Sequence, residues 1–361
     1  MPNGSRNFHH KSHKGCKRCK TRRVKCNKQA PVCANCRRRN EDCEYEIPPP
    51  NPAAITVFAL PAAQLGDITS FISVSFLSNV IVGCVPASRP ERALWCAAFG
   101  EALAGCQYLQ HTMLSIHTLH VGPRLSKDAF SEATNLAHHH HIMASNAFTH
   151  MAPVVNEQNW LAVFIFGISV IIFRFATQQY CPDHLFDYLE MLQVLRISSN
   201  IARSVSSYLF RSEMWPFIRD RASLQLICQS DDIGMQQAIE NLEGIVSNYR
   251  PRSENRRKAT PAAFEAFKTW VITCHGYPSV WRHYIDWPAT IQTEFLNDIR
   301  EEEDVPLLLL IYWCAIMYRG PRRWFMEVWL RRTATVVVKK LDGDWNQALV
   351  WPLETLQIIH Q

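Results

Sequence analysis

The hydrophobic and polar positions of this chain follow two different regimes. From about residue 90 onward the pattern is helical. In "DHLFDYLEMLQVL" (183–195), Leu185, Tyr188, Leu189, Leu192 and Leu195 recur at intervals of three or four. That spacing puts them on one face and predicts an amphipathic helix capped by Asp183. "TPAAFEAFKTWVITC" (260–274) predicts a second, with Thr260 as cap, Pro261 in the first helical position, and a stripe of Phe264, Phe267, Trp270, Val271 and Cys274. "TATVVVKKL" (333–341) is β-branched but continues a helical run from Arg323. Two stretches are apolar on every side: "WLAVFIFGISVIIF" (160–173) and "VPLLLLIYWCAIMY" (305–318). Each has 14 residues without a charge, short of the roughly 20 that a membrane-spanning helix needs. Both read as buried core helices. "ITSFISVSFLSNVIVGCV" (68–85) is longer but carries four Ser, a Thr and an Asn, and is not read as a span either. The pattern predicts an all-α domain of about eight to twelve helices around the two apolar runs.

The first 46 residues show no such period. Between Cys16 and Cys43 the only aliphatic side chains, two alanines aside, are Val24 and Val32. What this segment has instead is charge and sulfur. Residues 1–46 hold 13 Lys or Arg against 4 Asp or Glu, while the remainder holds 25 against 28. The net charge of +6 is therefore a basic head on a near-neutral body, and such a head is built to meet a polyanion. The opening "MPNGSRNFHHKSHK" has no apolar centre and does not read as a secretory signal.

Of the 13 cysteines, seven are scattered through apolar surroundings and read as small buried hydrophobes of a reducing compartment. The other six are ordered. Cys16, Cys19, Cys26, Cys33, Cys36 and Cys43 follow C-x2-C-x6-C-x6-C-x2-C-x6-C, the second half repeating the first. An ordinary zinc ribbon would use two pairs and leave Cys26 and Cys43 idle. Two separate tetrahedral zinc sites, with sulfur at about 2.3 Å, would need eight thiolates. Six suffice for two zinc ions if two sulfurs each bridge both. So small and coreless a segment would fold only on binding metal. Lys17, Arg18, Lys20, Arg22, Arg23 and Lys25 are threaded through the first half, where a short helix is expected to follow the first ligand pair. Such a helix fits a major groove, where Arg or Lys reads guanine O6 and N7. Arg37, Arg38 and Arg39 in the second half suit phosphates. The same charges also read as a nuclear-localisation patch.

The stretch "GCKRCKTRRVKCNKQAPVCANCRRRNEDCEY" resembles the fungal zinc binuclear cluster (Zn2Cys6) DNA-binding domain at every ligand spacing. The resemblance implies that Cys16 and Cys33 bridge the two zinc ions, that Cys19 and Cys26 complete one site, and that Cys36 and Cys43 complete the other. It implies that Lys20, Arg22, Arg23 and Lys25 face double-stranded DNA, with Arg22 and Arg23 reading a CGG-type half-site. Arg37 and Arg38 would hold the backbone. Pro31 matches the proline of the loop between the halves, with a cis bond as one option. Asn27 stands where many relatives carry Asp.

"EYEIPPPNPAA" (44–54) cannot be helical and predicts a stiff extended spacer. The expected organisation is a zinc module at 14–45, a Pro-rich linker at 46–67 and an all-helical regulatory domain at 68–361. No heptad repeat follows the module, so dimerisation falls to the large domain, with monomeric binding to one half-site as the other option. Further along, "MLSIHTLHVG" (113–122), "NWLAVFIFGISVIIFRFA" (159–176), "DVPLLLLIYWCAIMYRGPRRWFMEVWLRR" (304–332) and "LVWPLETL" (349–356) occur in the order seen in regulators of sterol uptake, and diverged paralogues share them. That resemblance implies a nuclear transcription regulator, cytoplasmic when inactive, that contacts the transcription machinery and takes a sterol or other lipid in its helical domain. The alternative is a pathway-specific regulator of a secondary-metabolite gene cluster, working through protein partners without a ligand. No nucleophile elbow, phosphate loop, zinc-protease or dinucleotide motif is present, and no enzymatic activity is expected. The run His138–His141 reads as packed or surface histidines, with metal ligation the weaker option.

Overall fold

The computed structural model describes residues 16–26, 34–39, 41, 89–121, 127–224, 232–252, 256–342 and 344–358. Cys33, Cys43, Pro31, the expected linker 46–67 and the apolar stretch 68–85 lie outside the described residues. The chain divides into two units, Met1–Gly66 and Asp67–Gln361.

In the first unit, α1 (Lys17–Thr21) and α2 (Ala34–Arg39) pack against each other. The second unit is helical throughout its described residues. Its thirteen α-helices there are α3 (Arg89–Ala104), α4 (Gln107–Val121), α5 (Lys127–Met151), α6 (Trp160–Tyr180), α7 (Tyr188–Arg211), α8 (Trp215–Leu224), α9 (Ile233–Asn248), α10 (Ala259–Cys274), α11 (Trp281–Thr290), α12 (Thr293–Arg300), α13 (Asp304–Arg319), α14 (Glu327–Val338) and α15 (Asn346–Thr355). That is one more than expected, because breaks at 291–292 and 301–303 cut the segment before α13 into short pieces.

Both apolar runs are core helices. Every residue of α13 from Val305 to Tyr318 is buried. A helix apolar all round has no solvent face to present, so it is surrounded instead. α9, α10, α12, α14 and α15 close around α13. Trp313 sits 5.7 Å from the Trp287 ring of α11 and 6.4 Å from the Trp329 ring of α14, centroid to centroid. The Tyr312 hydroxyl donates to the Ala348 carbonyl at 2.8 Å, so the polar tip of a buried ring is satisfied on α15. α6 is long and apolar enough to cross a membrane by length and composition, but 67% of its most apolar window is buried among other helices. It packs on α7, where Gly167 lets Ile201 approach: a Cβ at Gly167 would lie 2.9 Å from its methyl. At the other end of α6, the Gln179 side chain donates to the Trp324 carbonyl and accepts from the Val328 amide, each at 3.1 Å, tying α6 to the start of α14.

Two caps differ from expectation. Asp183 opens a single 3-10 turn (Asp183–Leu185), and α7 begins at Tyr188 with Asp187 as its cap. The Asp187 carboxylate accepts from the amides of Leu189 and Glu190 at 2.9 and 3.0 Å, covering two orphan donors at once. Leu185 is consequently exposed, and Met191 joins the buried face. Thr260 does not cap α10, because it lies one residue inside the helix, fully buried, with its hydroxyl directed to Asp298 at 3.5 Å. The predicted stripe of α10 is buried at all five positions. The helix expected from Arg323 starts at Glu327.

The histidine run is partly packed and partly at the surface, with His140 and His141 half-buried and His138 and His139 exposed. His141 stacks on Phe173 of α6 at 3.8 Å between centroids, and His138 meets the same ring edge-on at 5.0 Å. His140 Nδ1 lies 3.0 Å from His111 Nδ1 of α4. Of the four scattered thiols among the described side chains, Cys274 and Cys314 are buried while Cys106 and Cys181 are half-buried, and burial pushes the Cys274 thiol up to about 12. The two buried thiols behave as hydrophobes.

Replacing Trp313 by Ala should remove about 3–5 kcal/mol of stability by opening a cavity beside α13, whereas Val328→Ala, on the exposed side of α14, should change stability by less than about 0.5 kcal/mol. Urea denaturation of the two variants checks the contrast.

Burial, then the neighbouring His111 and His139, lower His140 to about 4; burial, then Arg174 and His138, lower His141 to about 4. In the unfolded chain both return to about 6.5. The unfolded state thus gains protons first as pH falls. Their contribution is complete above pH 6.5 and is lost progressively toward pH 4. The double variant His140→Gln, His141→Gln should show a shallower fall of denaturation midpoint between about pH 7 and pH 5 than the parent. Parallel curves would assign the acid sensitivity to other groups.

Candidate metal centre and nucleic-acid interface

The buried core of the first unit is sulfur. Cys16, Cys19 and Cys36 are fully buried, and Cys26 packs against them half-buried. Val24, the one described aliphatic side chain of the segment besides Ala34, is 46% exposed. The helix expected after the first ligand pair instead runs between and just past its two cysteines. Cys16 is the N-cap of α1, and its sulfur accepts from the Cys19 amide at 3.4 Å. A sulfur with an extended backbone ahead of a helix takes the place of an N-cap oxygen, which is why the turn starts at the ligand itself.

The three sulfurs lie within 4.8 Å of one another, and they are the one group of three or more potential ligands of this kind among the described residues. The Cys16 and Cys36 sulfurs are 3.8 Å apart. A disulfide requires about 2.05 Å. Two corners of a sulfur tetrahedron around zinc, each about 2.3 Å from the ion, are separated by about 3.8 Å. The spacing is that of two ligands on one metal, across the two halves of the repeat. The sulfur donor set and its burial suit zinc. Cys16 neighbours a cysteine of each half, as does Cys19. The Asn35 side chain also joins the halves, donating to the Lys25 carbonyl at 2.9 Å.

The expected DNA-facing residues divide by position. Lys20 is in the last turn of α1. Arg22 caps it and Arg23 follows with φ of 55°, a left-handed conformation that reverses the chain. Arg23 and Lys25 are exposed, while Lys20 and Arg22 are half-buried. Arg22 forms an ion pair with Glu41. Arg37, Arg38 and Arg39 stand exposed in the last turn of α2. The charges thus lie on the outside of a sulfur core. Sequence reasoning missed Glu41 and Asn35. Glu41 carried a readable signal, as the first acidic residue of the chain after 40 without one. Asn35 carried none.

Residues 14–52 match the family described as the fungal Zn(2)-Cys(6) binuclear cluster domain. Over 42 residues, 12% of this chain, the sequence is 55% identical to Sterol uptake control protein 2 of Candida albicans, covering 6% of that protein. Over 45 residues it is 49% identical to the Zn(2)-C6 fungal-type transcription factor afumD of Aspergillus fumigatus, 12% of each chain. Sterol uptake control protein 2 of Saccharomyces cerevisiae is 48% identical over 42 residues, 5% of its length. The chain thus covers only a small part of the curated relatives it matches. No solved structure matches it. The grid of cysteines, the buried sulfur core and these matches agree that the amino-terminal unit carries a domain of the fungal Zn(2)-Cys(6) binuclear cluster family.

Proposed function

We propose that this chain is a sequence-specific DNA-binding transcription regulator whose amino-terminal unit folds around two zinc ions. Cys16, Cys19, Cys26, Cys33, Cys36 and Cys43 would hold them, with Cys16 and Cys33 shared. The observation that supports this most directly is the 3.8 Å approach of Cys16 to Cys36 inside a shell of exposed cations. Six thiolates and two zinc ions leave two negative charges, which the surrounding Lys and Arg offset. Lys20, Arg22, Arg23 and Lys25 meet base edges of a CGG-type half-site. Arg37 and Arg38 meet phosphates. The protein works in the nucleus, and its helical unit is a regulatory domain that responds to a sterol or other lipid. Free Arg22 is held by Glu41, so on DNA it exchanges a carboxylate for a guanine edge, which keeps its guanidinium oriented beforehand.

Chelating zinc from the full chain should melt the first unit and abolish DNA binding while leaving the helical signal of the second unit in place, since only the first has a core made of sulfur. Cys16→Ala should release both ions. A variant that retains about one zinc per chain by elemental analysis would exclude sharing at Cys16.

Arg23→Ala should cost about 1–3 kcal/mol against the preferred half-site and relax base preference there. Arg38→Ala should weaken binding to all sequences alike and lower the salt slope by about 1. Binding isotherms on preferred and scrambled duplexes, across a salt series, separate the two roles. Identical profiles for both variants would remove the division of labour.

A further inference from the structure

A cavity of about 640 Å³ opens in the helical unit among α6, α7, α8 and α11. Its walls are mainly apolar, including Phe164, Ile168, Ile201, Val205, Trp215 and Ile285. The volume falls in the range of about 300–1,000 Å³ that takes a small organic ligand.

One wall is not apolar. Arg323, in the connection between α13 and α14, lines the cavity and is 1% exposed. Its Nε donates to the Tyr284 hydroxyl. Its Nη2 donates to the Ser279 carbonyl at 3.3 Å. The guanidinium lies 4.6 Å from the Tyr284 ring centre and 5.1 Å from that of Trp281. Those contacts leave Nη1 buried with no hydrogen-bond partner, and no carboxylate pairs with Arg323 among the described residues. Of the other charged groups of the wall, Arg203 is exposed to solvent and donates to the Asn200 side chain at 3.1 Å. Arg219 pairs with Asp220 at 3.1 Å, and Arg282 pairs with Asp286, the one acidic side chain of the lining, at 3.3 Å. The nearby His283 accepts the Ser279 amide at its Nδ1 and is held neutral by burial.

A buried cation without a counterion is costly, and its remaining donor wants an acceptor that carries charge. Here that donor belongs to a planar fork suited to a carboxylate, on a residue that lines a mainly apolar space. We propose that this cavity binds an apolar monocarboxylic acid, its carboxylate on Arg323 Nη1 and its hydrocarbon body between α6 and α7. The inference rests on the reading of the helical unit as a ligand-responsive domain and gives that unit a site and a head group. A neutral sterol would offer Arg323 no charge to balance, so the two ligand classes are separable.

The test uses the zinc-loaded full chain and the fluorescent acid cis-parinaric acid, displaced in turn by hexadecanoic acid, hexadecan-1-ol and cholesterol. Hexadecanoic acid should displace the probe at a concentration at least about tenfold lower than the alcohol or the sterol. Arg323→Gln should erase that difference. Because Arg323 also pins its loop, Ala202→Trp, which fills the cavity from α7 and leaves the Arg323 side chain in the sequence, should abolish probe binding while helical content and half-site binding stay unchanged. Equal displacement by acid and alcohol, or displacement by cholesterol alone, overturns the head-group assignment and leaves a ligand-responsive unit standing. Unaltered probe binding by Ala202→Trp overturns the site. No saturable binding of any of the four compounds overturns both the site and the lipid-responsive reading, and DNA binding by the first unit is unaffected by either result.

Discussion

Sulfur does in the amino-terminal unit what hydrocarbon does in the larger one. A segment with two valines, one of them exposed, has almost nothing to withdraw from water, and conformational entropy alone would keep it unfolded. Three buried thiols brought within 4.8 Å change that only if something holds them together, since sulfur atoms alone attract one another weakly. The fold of this unit is therefore conditional on its ligand field. The larger unit carries its own driving force, with fourteen consecutive buried residues in α13 alone. The two halves of the chain answer to different physical conditions: one to metal supply and thiol reduction, the other to ordinary hydrophobic stability.

This difference also decides where charge can sit. A module without a hydrocarbon interior has no apolar face to protect, so nearly every position between ligands is available for Lys or Arg. A metal–thiolate cluster of the proposed kind would itself be anionic and would tolerate them. The same residues form the contact surface proposed above. Glu41 is the counterweight: it pairs with Arg22 within the unit. A contact restrained beforehand loses less entropy on binding than a free side chain does.

How much was readable in the sequence follows from the range of the forces involved. Ligand spacing is local and chemically strict, so the cysteine grid stood out. Helix type was legible for α10 and α13 because apolar period and apolar saturation are one-dimensional signals. Helix ends were less so. Asp183 and Thr260 have the right chemistry for caps, but Asp187 lies where its carboxylate reaches two amides, and Thr260 is claimed by Asp298 from another helix. Tertiary partners decided both. The role of Arg323 was not legible at all: "YRGPRRW" (318–324) presents three arginines alike, and only the fold buries the last of them.

The larger unit shows two ways of burying ions, and the contrast separates structure from site. Asp298, fully buried, has its carboxyl raised to about 6 chiefly by burial, yet Arg256 lies 2.9 Å away and the Thr260 hydroxyl 3.5 Å away. Charge is balanced there by an ion pair, so the group locks α10 to α12. Arg323 is as deeply buried, but its partners are a phenol, a carbonyl and two aromatic faces, none of which carries a negative charge. Aromatic faces stabilise a cation without neutralising it. A folded chain tolerates such an imbalance when the missing anion comes from outside, and the empty volume beside Arg323 is where it would enter. Regulation by ligand would follow without any change of fold, because supplying that anion adds stability to the α6, α7 and α11 faces together and stiffens them as one body.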